Sequence, residues 1–232
     1  MTVLVDHASL IMKGLWITVQ LTVYGILATV VVAFAVGLAR LSEHRWLRWP
    51  AIAFTEVFRG TSLVVQLFWF FYALPYLGVY LNPMVAAVLV LGLNEGAYAA
   101  EIVRSAIASR PVGQTEASVA LGIRPRHRLW RILIPQSIPI MLPSFGNVGV
   151  DLLKATSLVS LVTVYDLTQR VTAIQQSVGG QTGVLFGALL VLYFALSMLL
   201  ALLVRALESR FSLDRSVIRR RGLFVDRAQV SV

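Results

Sequence analysis

Five long hydrophobic runs divide the chain, and polar, basic or proline-rich connectors separate them. The runs lie near residues 15–39, 51–77, 83–107, 138–158 and 183–207. Each has about the 20 apolar residues that an α-helix needs to cross a bilayer. The pattern therefore predicts an all-α membrane protein with five transmembrane spans.

No low-complexity linker interrupts these runs, so the sequence predicts one membrane domain. We place this domain at residues 10–212 and a basic tail at 213–232. The connector between the last two spans, residues 159–182, carries several polar side chains. It predicts an amphipathic, partly helical segment outside the membrane.

Composition agrees with a membrane protein. Hydrophobic residues make up 58% of the chain and charged residues only 13%, whereas a soluble domain carries about 25% charged residues. The first run superficially mimics a signal peptide, because Ala33-Phe34-Ala35 looks like a cleavage site. However, the run is too long and its arginines follow it, so we expect a retained span.

The distribution of basic residues predicts the orientation. Most of the 20 lysines and arginines lie after the first run, between residues 104 and 131, or in the tail. The opposite side carries only Lys13 and Arg170. By the positive-inside rule the N-terminus is outside and the C-terminus is cytoplasmic. The net charge of +9 then indicates contact with lipid headgroups, and we expect no nucleic acid partner.

The cytoplasmic connector at residues 110–135 has its own pattern, RPVGQTEASVALGIRPRHRLWRILIP. Residues 114–121 predict a short amphipathic helix, which Gly122 ends because glycine readily takes a left-handed conformation. A second short segment begins at Arg124-Pro125 and ends near Pro135. A structured loop of this length on the positive side is typical of a surface that meets a soluble partner.

This connector resembles the EAA loop of ABC-importer permeases, a short helix that docks into a groove of the cytoplasmic ATPase. Other segments resemble the polar amino acid branch of type I importer permeases: EVFRGTSLVVQL at 56–67, NEGAYAAEIVR at 94–104, IPQ at 134–136 with LP at 142–143 and GN at 146–147, and LKATSL at 153–158. The chain departs from that pattern at Ser62, Glu95 and Ala155. In detail RGTSLVVQLFWFFYALP and LLKATSLVSL resemble permeases of ectoine and hydroxyectoine importers.

The resemblance implies the type I ABC importer permease fold, with a coupling helix between spans three and four. It implies a multi-pass protein of the bacterial plasma membrane that pairs with an identical or homologous permease. It also implies two ATPase subunits and an extracytoplasmic solute-binding protein. ATP and magnesium would sit on the ATPase, since this chain lacks a G-x-x-x-x-G-K-[ST] loop. We therefore expect no enzymatic activity and no cofactor in this chain.

The coupling residues implied by the resemblance are Gln114, Glu116, Ala117, Ser118, Leu121 and Gly122. Glu116 would stabilise the loop by accepting hydrogen bonds from the turn or from a nearby arginine. The alternative is an ordinary solvated glutamate on a surface helix.

Charged residues inside the spans suggest a solute pathway, because each costs roughly 2.5–3.5 kcal/mol to insert. Glu95 and Asp151 lie near the middle of spans three and four, where they would hold the cationic part of a zwitterion. Alternatively they pair with Arg59 or Lys154 and only stabilise packing, and Lys154 lies at i+3 from Asp151. Arg59 is also a candidate gate. Together the candidate pathway residues are Arg59, Glu95, Asn147, Asp151, Lys154, Thr156 and Ser157.

The sequence offers no metal or nucleophile constellation. It has no cysteine, and His7, His44 and His127 fall on different predicted segments. The leading hypothesis is thus an importer permease for a small zwitterionic solute, either a polar amino acid or an ectoine-type compatible solute. A stand-alone secondary transporter or channel is the alternative, although five spans give no paired inverted halves. A membrane scaffold or sensor subunit is a third. Only the first hypothesis requires an ATPase-docking helix.

Overall fold

The computed structural model describes residues 2–179 and 181–211, and every regular element within those ranges is helical. The α-helices are α1 (Thr2–Asp6), α2 (Ala8–Arg40), α3 (Arg45–Gly60), α4 (Leu63–Phe68), α5 (Pro83–Ala108), α6 (Val112–Ala120), α7 (Pro125–Arg128), α8 (Ile134–Ala155), α9 (Leu167–Val178) and α10 (Thr182–Phe211). The predicted tail at 213–232 lies outside the described residues.

Three predicted spans appear as single long helices. These are α2, α5 and α10, and each is long and apolar enough to cross a membrane. The start of α5 follows directly from the sequence. Asn82 caps it, since its side-chain oxygen accepts from the Met84 N–H at 2.9 Å, and Pro83 occupies the first turn, where no N–H is needed.

The second predicted span, 51–77, is wrong as a single helix. Helix α3 already begins at Arg45 and ends at Gly60, and the helical segment Leu63–Leu77 leaves it at an angle of 105°. Thr61 and Ser62 between them have extended backbone conformations. A span here is therefore broken in two, and long-range polar contacts described below hold the break.

The fourth predicted span, 138–158, is too short. Helical structure continues from Pro125 to Val162, so the predicted second loop segment merges with the span. A π-helical turn at Leu129–Leu133 joins α7 to α8, and the Ile134 N–H donates to the Leu129 carbonyl oxygen. Such wide turns accommodate local irregularity within long helices, here just before Pro135. A 3₁₀ segment, Thr156–Val162, ends the span.

Helices α2 and α5 pack closely against each other because small residues line their contact. A Cβ placed on Gly92 would lie 2.5 Å from Ala28 Cβ, and one on Gly96 would lie 2.6 Å from Val32 Cβ. The two glycines are four residues apart on one face of α5, the spacing that lets helices in a membrane approach closely. We call this contact the α2–α5 seam.

Helix α9 packs across one end of the bundle. Its buried residues Leu167, Val171 and Ile174 form a cluster with Leu185 of α10 and with partly buried residues of α2. This agrees with the predicted amphipathic segment at 159–182. Helix α10 also packs on α8, where Gly146 faces Val204, and much of its remaining apolar surface is exposed.

Candidate functional site

The loop helix predicted from residues 114–121 is α6, and its end has well-defined geometry. The Ile123 N–H donates to the Ser118 carbonyl oxygen and the Gly122 N–H to that of Val119, both at 2.9 Å. Gly122 has φ +65°. These two bonds and the left-handed glycine make a Schellman helix end, as the sequence predicted for Gly122.

The loop is anchored to the bundle at its base. Arg110 Nε donates to Ser137 Oγ at 3.2 Å, and Ser137 Oγ donates to the Leu133 carbonyl oxygen at 2.8 Å. Because Ser137 lies on α8, the hydrogen bond from Arg110 ties the segment that enters α6 to the helix that follows the loop. Helix α6 is therefore connected to both α5 and α8.

Much of the surface of α6 is apolar and exposed. Val112, Val119 and Leu121 are 69%, 61% and 77% exposed although they lie outside the spans. Of the predicted coupling residues, Ala117 and Gly122 are exposed, Gln114 is half-buried and Ser118 is buried. Apolar side chains exposed together outside the bilayer are typical of a protein contact surface.

Glu116 is exposed, and it makes no hydrogen bond or ion pair within the described part of the chain. The predicted bond to the turn or to a nearby arginine is therefore wrong for this chain alone. Backbone bonds of the Schellman end satisfy the turn, so no side-chain acceptor is needed there.

Three of the predicted pathway residues share one face of α8. Asn147, Asp151 and Lys154 lie four and three residues apart, and all three are exposed. Lys154 Nζ lies 3.3 Å from Asp151 Oδ1, as the i, i+3 alternative predicted. The half-buried Glu95 of α5 lies within electrostatic reach of Asp151. The structure thus brings two carboxylates from neighbouring helices to one region.

Arg59 does not pair with either carboxylate. The ion pairs among the described residues join Arg40 and Arg104 to Glu101, and Lys154 to Asp151. The Arg59 guanidinium instead lies over the Tyr98 ring, 5.3 Å from its centroid. The alternative in which Glu95 pairs with Arg59 does not hold in this structure, where Arg59 is exposed at the end of α3 beside the break.

Thr156 and Ser157 have hydroxyls that are already used within the helix. Thr156 is fully buried, and its Oγ1 donates to the Leu153 carbonyl oxygen at 2.6 Å. Ser157 Oγ donates to the Lys154 carbonyl oxygen at 2.7 Å. Neither hydroxyl proton is free for a solute in this structure, which corrects the expectation for Thr156 in particular.

A buried polar cluster at the helix break was not predicted as a site. Asn94 Nδ2 donates to the Phe58 carbonyl oxygen at 3.0 Å and to Gln66 Oε1 at 3.1 Å. Gln66 Nε2 donates to the same Phe58 oxygen at 3.0 Å and to Thr61 Oγ1 at 2.7 Å. We call Phe58, Thr61, Gln66 and Asn94 the break cluster. Two amides within apolar runs were the only signal for it in the sequence.

An ion-pair cluster joins α2 and α5 at the ends nearest the loop. Arg40 Nη1 lies 3.0 Å from Glu101 Oε2, and Arg104 Nε donates to Glu101 Oε1 at 2.9 Å. Glu101 thus receives two guanidinium groups from different helices. Arg104 lies at i+3 from Glu101 on the same helix, whereas nothing in the local sequence signals the contact with Arg40.

A second unpredicted polar cluster surrounds Asp166, between the last two spans. Asp166 is fully buried and caps α9, where its Oδ1 accepts from the Gln169 N–H at 2.9 Å. The Tyr193 hydroxyl donates to Asp166 Oδ2 at 3.4 Å, and Leu167 N–H donates to Thr18 Oγ1 at 3.1 Å. Burial raises the pKa of the Asp166 carboxyl to about 6, because the charged form loses hydration.

Within residues 2–179 and 181–211, no group of three or more histidine, cysteine or acidic side chains is arranged to hold a metal ion. The polar groups described above are instead arranged as a helix cap, ion pairs, a buried amide cluster, and two carboxylates of which Asp151 is exposed and Glu95 half-buried. This arrangement can bind and release a charged solute, and it can contact another protein at α6.

Comparison with known proteins gives consistent matches along almost the whole chain. Residues 14–213 match the family described as "Binding-protein-dependent transport system inner membrane component". The chain is 42% identical over 223 residues to a probable amino-acid ABC transporter permease protein, y4tF, of Sinorhizobium fredii, covering 94% of this chain and 91% of the relative. It is 35% identical over 206 residues to the L-cystine transport system permease protein TcyB of Bacillus subtilis, covering 89% and 87%.

The glutamine transport system permease protein GlnP of Escherichia coli is 32% identical over 208 residues, with 88% of this chain and 94% of the relative covered. Among solved structures, an amino acid ABC transporter crystallised with histidines superposes with a TM-score of 0.81 at 30% identity, covering 89% and 96%. The inward-facing MetNI methionine ABC transporter superposes with a TM-score of 0.76 at 20% identity, covering 89% of this chain and 98% of that one. The latter similarity concerns the fold alone.

Proposed function

Since the chain belongs to the family of binding-protein-dependent transport system inner membrane components, we propose that it gives alternating access to a zwitterionic solute in an ATP-driven importer. It is a type I ABC importer permease of the polar amino acid branch and a multi-pass protein of the bacterial plasma membrane. The chain is not itself an enzyme, and ATP hydrolysis belongs to a separate ATPase subunit.

We propose that α6 is the coupling helix. The observation that carries this proposal is its exposed apolar surface, Val112, Val119 and Leu121, outside the spans. Burying such side chains in a partner groove removes apolar surface from water, which favours association. The tie from Arg110 to Ser137 supports a transmission role, because it links the loop to α8. ATP and magnesium would be bound by the ATPase alone.

The proposed transport cycle follows from this connection. Closure of two ATPase subunits on ATP brings the α6 helices of two permease subunits together and turns the spans outward-facing. A loaded extracytoplasmic binding protein then delivers its solute. Hydrolysis lets the spans relax inward and release the solute to the cytoplasm. This cycle needs an N-terminus outside and a cytoplasmic α6, as the basic residues predict.

We propose that Glu95 and Asp151 select the solute. Two carboxylates within electrostatic reach attract a cationic group, and a carboxylate of the solute is balanced by the exposed Lys154. An exposed ion pair such as Asp151–Lys154 contributes little to stability, so its two charges remain free to exchange partners. Asn147 lies on the same face of α8 and offers an amide.

The named relatives favour a polar amino acid as the solute. Two of them are described as permeases for L-cystine and for glutamine, both of which are zwitterions with polar side chains. An ectoine-type solute is the second candidate and rests on the sequence segments described above. A stand-alone transporter or channel is the functional alternative that the following experiment tests.

Solute uptake by the reconstituted complex tests the coupling role. The complex contains this chain, its partner permease, the ATPase subunits and the binding protein. We expect Gly122→Val to abolish uptake that depends on ATP, because valine at φ +65° is strained by roughly 1–2 kcal/mol and disrupts the helix end. Gly113→Ala is the matched control, since Gly113 lies within α6 with open space at its Cβ. It should retain uptake.

The same assay tests the solute site. Glu95→Gln and Asp151→Asn should change the preference among cystine, glutamine, histidine and ectoine, whereas Glu43→Gln in the exposed first connector should not. Uptake that persists without the ATPase subunits would contradict an ABC importer and favour the stand-alone transporter. An unchanged preference in both site variants would contradict the solute site only.

A further inference from the structure

A cavity of about 570 Å³ lies between the N-terminal part of α2 and helix α9. It is lined by Ser9, Met12, Lys13, Trp16, Ile17 and Arg170. We call it the outer cationic cavity, because it brings together Lys13 and Arg170, which are far apart in sequence. These two are the basic residues that the sequence places on the side opposite the arginine-rich connectors.

Among the residues that the structure describes, neither cation of this cavity has an acidic partner. The ion pairs of the described residues involve Glu101 and Asp151 and do not include Lys13 or Arg170. Arg170 Nε is buried without a hydrogen bond, and the guanidinium lies over the Tyr165 ring, 5.0 Å from its centroid. The nearby Asp166 carboxylate already accepts hydrogen bonds from the Gln169 N–H and the Tyr193 hydroxyl. Buried donors in proteins are normally satisfied, so the site lacks an acceptor.

Close packing holds Arg170 in this position. A Cβ on Gly14 would lie 2.9 Å from Leu167 Cα and 3.0 Å from Arg170 Cγ. The backbones of α2 and α9 therefore touch at Gly14, and the aliphatic part of Arg170 lies against α2. The fold thus fixes the aliphatic part of Arg170 beside α2, the helix that carries Lys13.

The remaining lining indicates what kind of anion fits. Met12 and Trp16 are exposed large hydrophobic residues next to the two cations, and Ile17 lies beside them. Tryptophan is enriched at the level of lipid headgroups, and Lys13 and Trp16 flank the start of the first predicted span. A soluble anion would contact the cations only. A phospholipid would contact both, with its phosphate on the cations and its glycerol and acyl carbons on the apolar side chains.

We propose that the outer cationic cavity binds the phosphate headgroup of an anionic phospholipid. In the proposed orientation the lipid belongs to the outer leaflet of the plasma membrane. The lipid joins α2 to α9 by bridging Lys13 and Arg170, and so it stabilises the packing of α9 on the bundle. This inference is independent of the solute and of the coupling role of α6.

Native mass spectrometry of the complete detergent-solubilised complex, titrated with phosphatidylglycerol, tests the proposal. We expect Lys13→Gln/Arg170→Gln to weaken the tightest lipid binding step by about tenfold, because each cation near an anionic headgroup contributes to the free energy of lipid binding. Arg45→Gln/Arg48→Gln is the matched control. It removes the same charge from the start of α3 and should leave that step unchanged.

Two further variants keep the test independent of folding. Lys13→Gln alone alters an exposed side chain and should weaken binding less than the double variant. Arg170→Lys in the Lys13 wild-type background should retain most of the affinity, because the charge remains.

Several outcomes would overturn the proposal. Equal weakening by the control pair means a diffuse charge effect, and unchanged binding in the double variant means no lipid site. Inorganic phosphate that displaces the lipid at similar concentration means that the apolar lining contributes nothing. Unchanged lipid binding with weaker docking of the solute-binding protein assigns the cavity to an acidic protein surface.

Discussion

Single polar side chains decide where the second span breaks. The chain ends α3 at Gly60, and a helix that stops inside a membrane leaves carbonyl groups without partners. Phe58 has such a carbonyl, and two amides, from Gln66 and Asn94, donate to it. The break is therefore stabilised by residues on α4 and α5, whose amides donate the hydrogen bonds that α3 itself cannot supply to this carbonyl oxygen.

Replacing one amide of the break cluster should destabilise the protein. We expect Asn94→Leu to lower the free energy of unfolding by about 1–3 kcal/mol, because it leaves Gln66 Oε1 without its donor and removes one donor from the Phe58 carbonyl. Thermal unfolding of the purified chain in detergent measures this change. Gln136→Leu, at an exposed position of α8, is the control and should shift the midpoint little. If Asn94→Leu lowered the unfolding midpoint no more than the control does, the role assigned to Asn94 would be contradicted.

Asp166 should make stability depend on pH. Its folded-state pKa is about 6 and its ordinary value is 3.8, so between these values the folded state binds more protons than the unfolded state. The contribution of Asp166 to the free energy of unfolding then falls by about 3 kcal/mol in total as the pH rises from about 4 to about 6.

Thermal unfolding between pH 4 and pH 7 checks this sign. Asp166→Asn removes the titrating group while keeping an oxygen that accepts from Gln169 N–H, and it should make the fall over that range smaller than in the wild type. Asp6→Asn, at an exposed position, should keep the wild-type pH dependence. A wild-type protein whose stability rises with pH between 4 and 6 would contradict the prediction.

At the scale of helices, the α2–α5 seam is the best-defined contact of the fold. Gly92 and Gly96 place the backbone of α5 directly against Ala28 and Val32. Lipid tails are as apolar as leucine, so burying large side chains would give little advantage here. Close backbone contact gives dispersion attraction instead.

A side chain added to the seam should be poorly tolerated. We expect Gly92→Val to cost about 1–3 kcal/mol or more, since its Cβ would lie 2.5 Å from Ala28 Cβ and the helices must separate. Gly187→Val in α10 is the matched control, because nothing lies within 4 Å of a Cβ there. Detergent unfolding of both variants makes the comparison. Equal stability of the two would show that α2 and α5 do not pack as described.

Local signals in the sequence predicted some helices well. The third span, 83–107, corresponds to Pro83–Ala108 because Asn82 and Pro83 specify a helix start without help from the rest of the fold. Gly122 likewise ends α6 through its own conformational freedom. The break at Thr61 and Ser62 was missed because residues up to 36 positions away hold it. The position of Arg59 at the end of α3 was missed for the same reason. Arg40 pairs with Glu101 from a different helix, and nothing in the local sequence indicated this pair.

At the scale of the whole molecule, the proposed orientation places α6 and α9 on opposite sides of the membrane. The chain contains no cysteine, so a single introduced cysteine reports its location without background. Glu43 and Ser177 are exposed and lie in the connector after α2 and in α9, respectively. They are suitable reporters of the two sides.

A membrane-impermeant maleimide applied to intact cells should label Ser177→Cys and not Glu43→Cys. Permeabilisation should then allow Glu43→Cys to react, and the wild-type chain should remain unlabelled throughout. The physical reason is the concentration of arginines in the connectors on the side of Glu43. Labelling in the reverse order would contradict the orientation and also the cytoplasmic position of α6.

The α2–α5 seam has a consequence for how the protein is made. The two faces that form the seam are separated in sequence by more than fifty residues, from Ala28 to Gly92. A ribosome therefore delivers α2 to the membrane long before its partner exists. Until the third span inserts, the nascent first span presents its small-residue face to lipid. Chains that stall during translation before residue 92 should consequently be preferred substrates of membrane proteases.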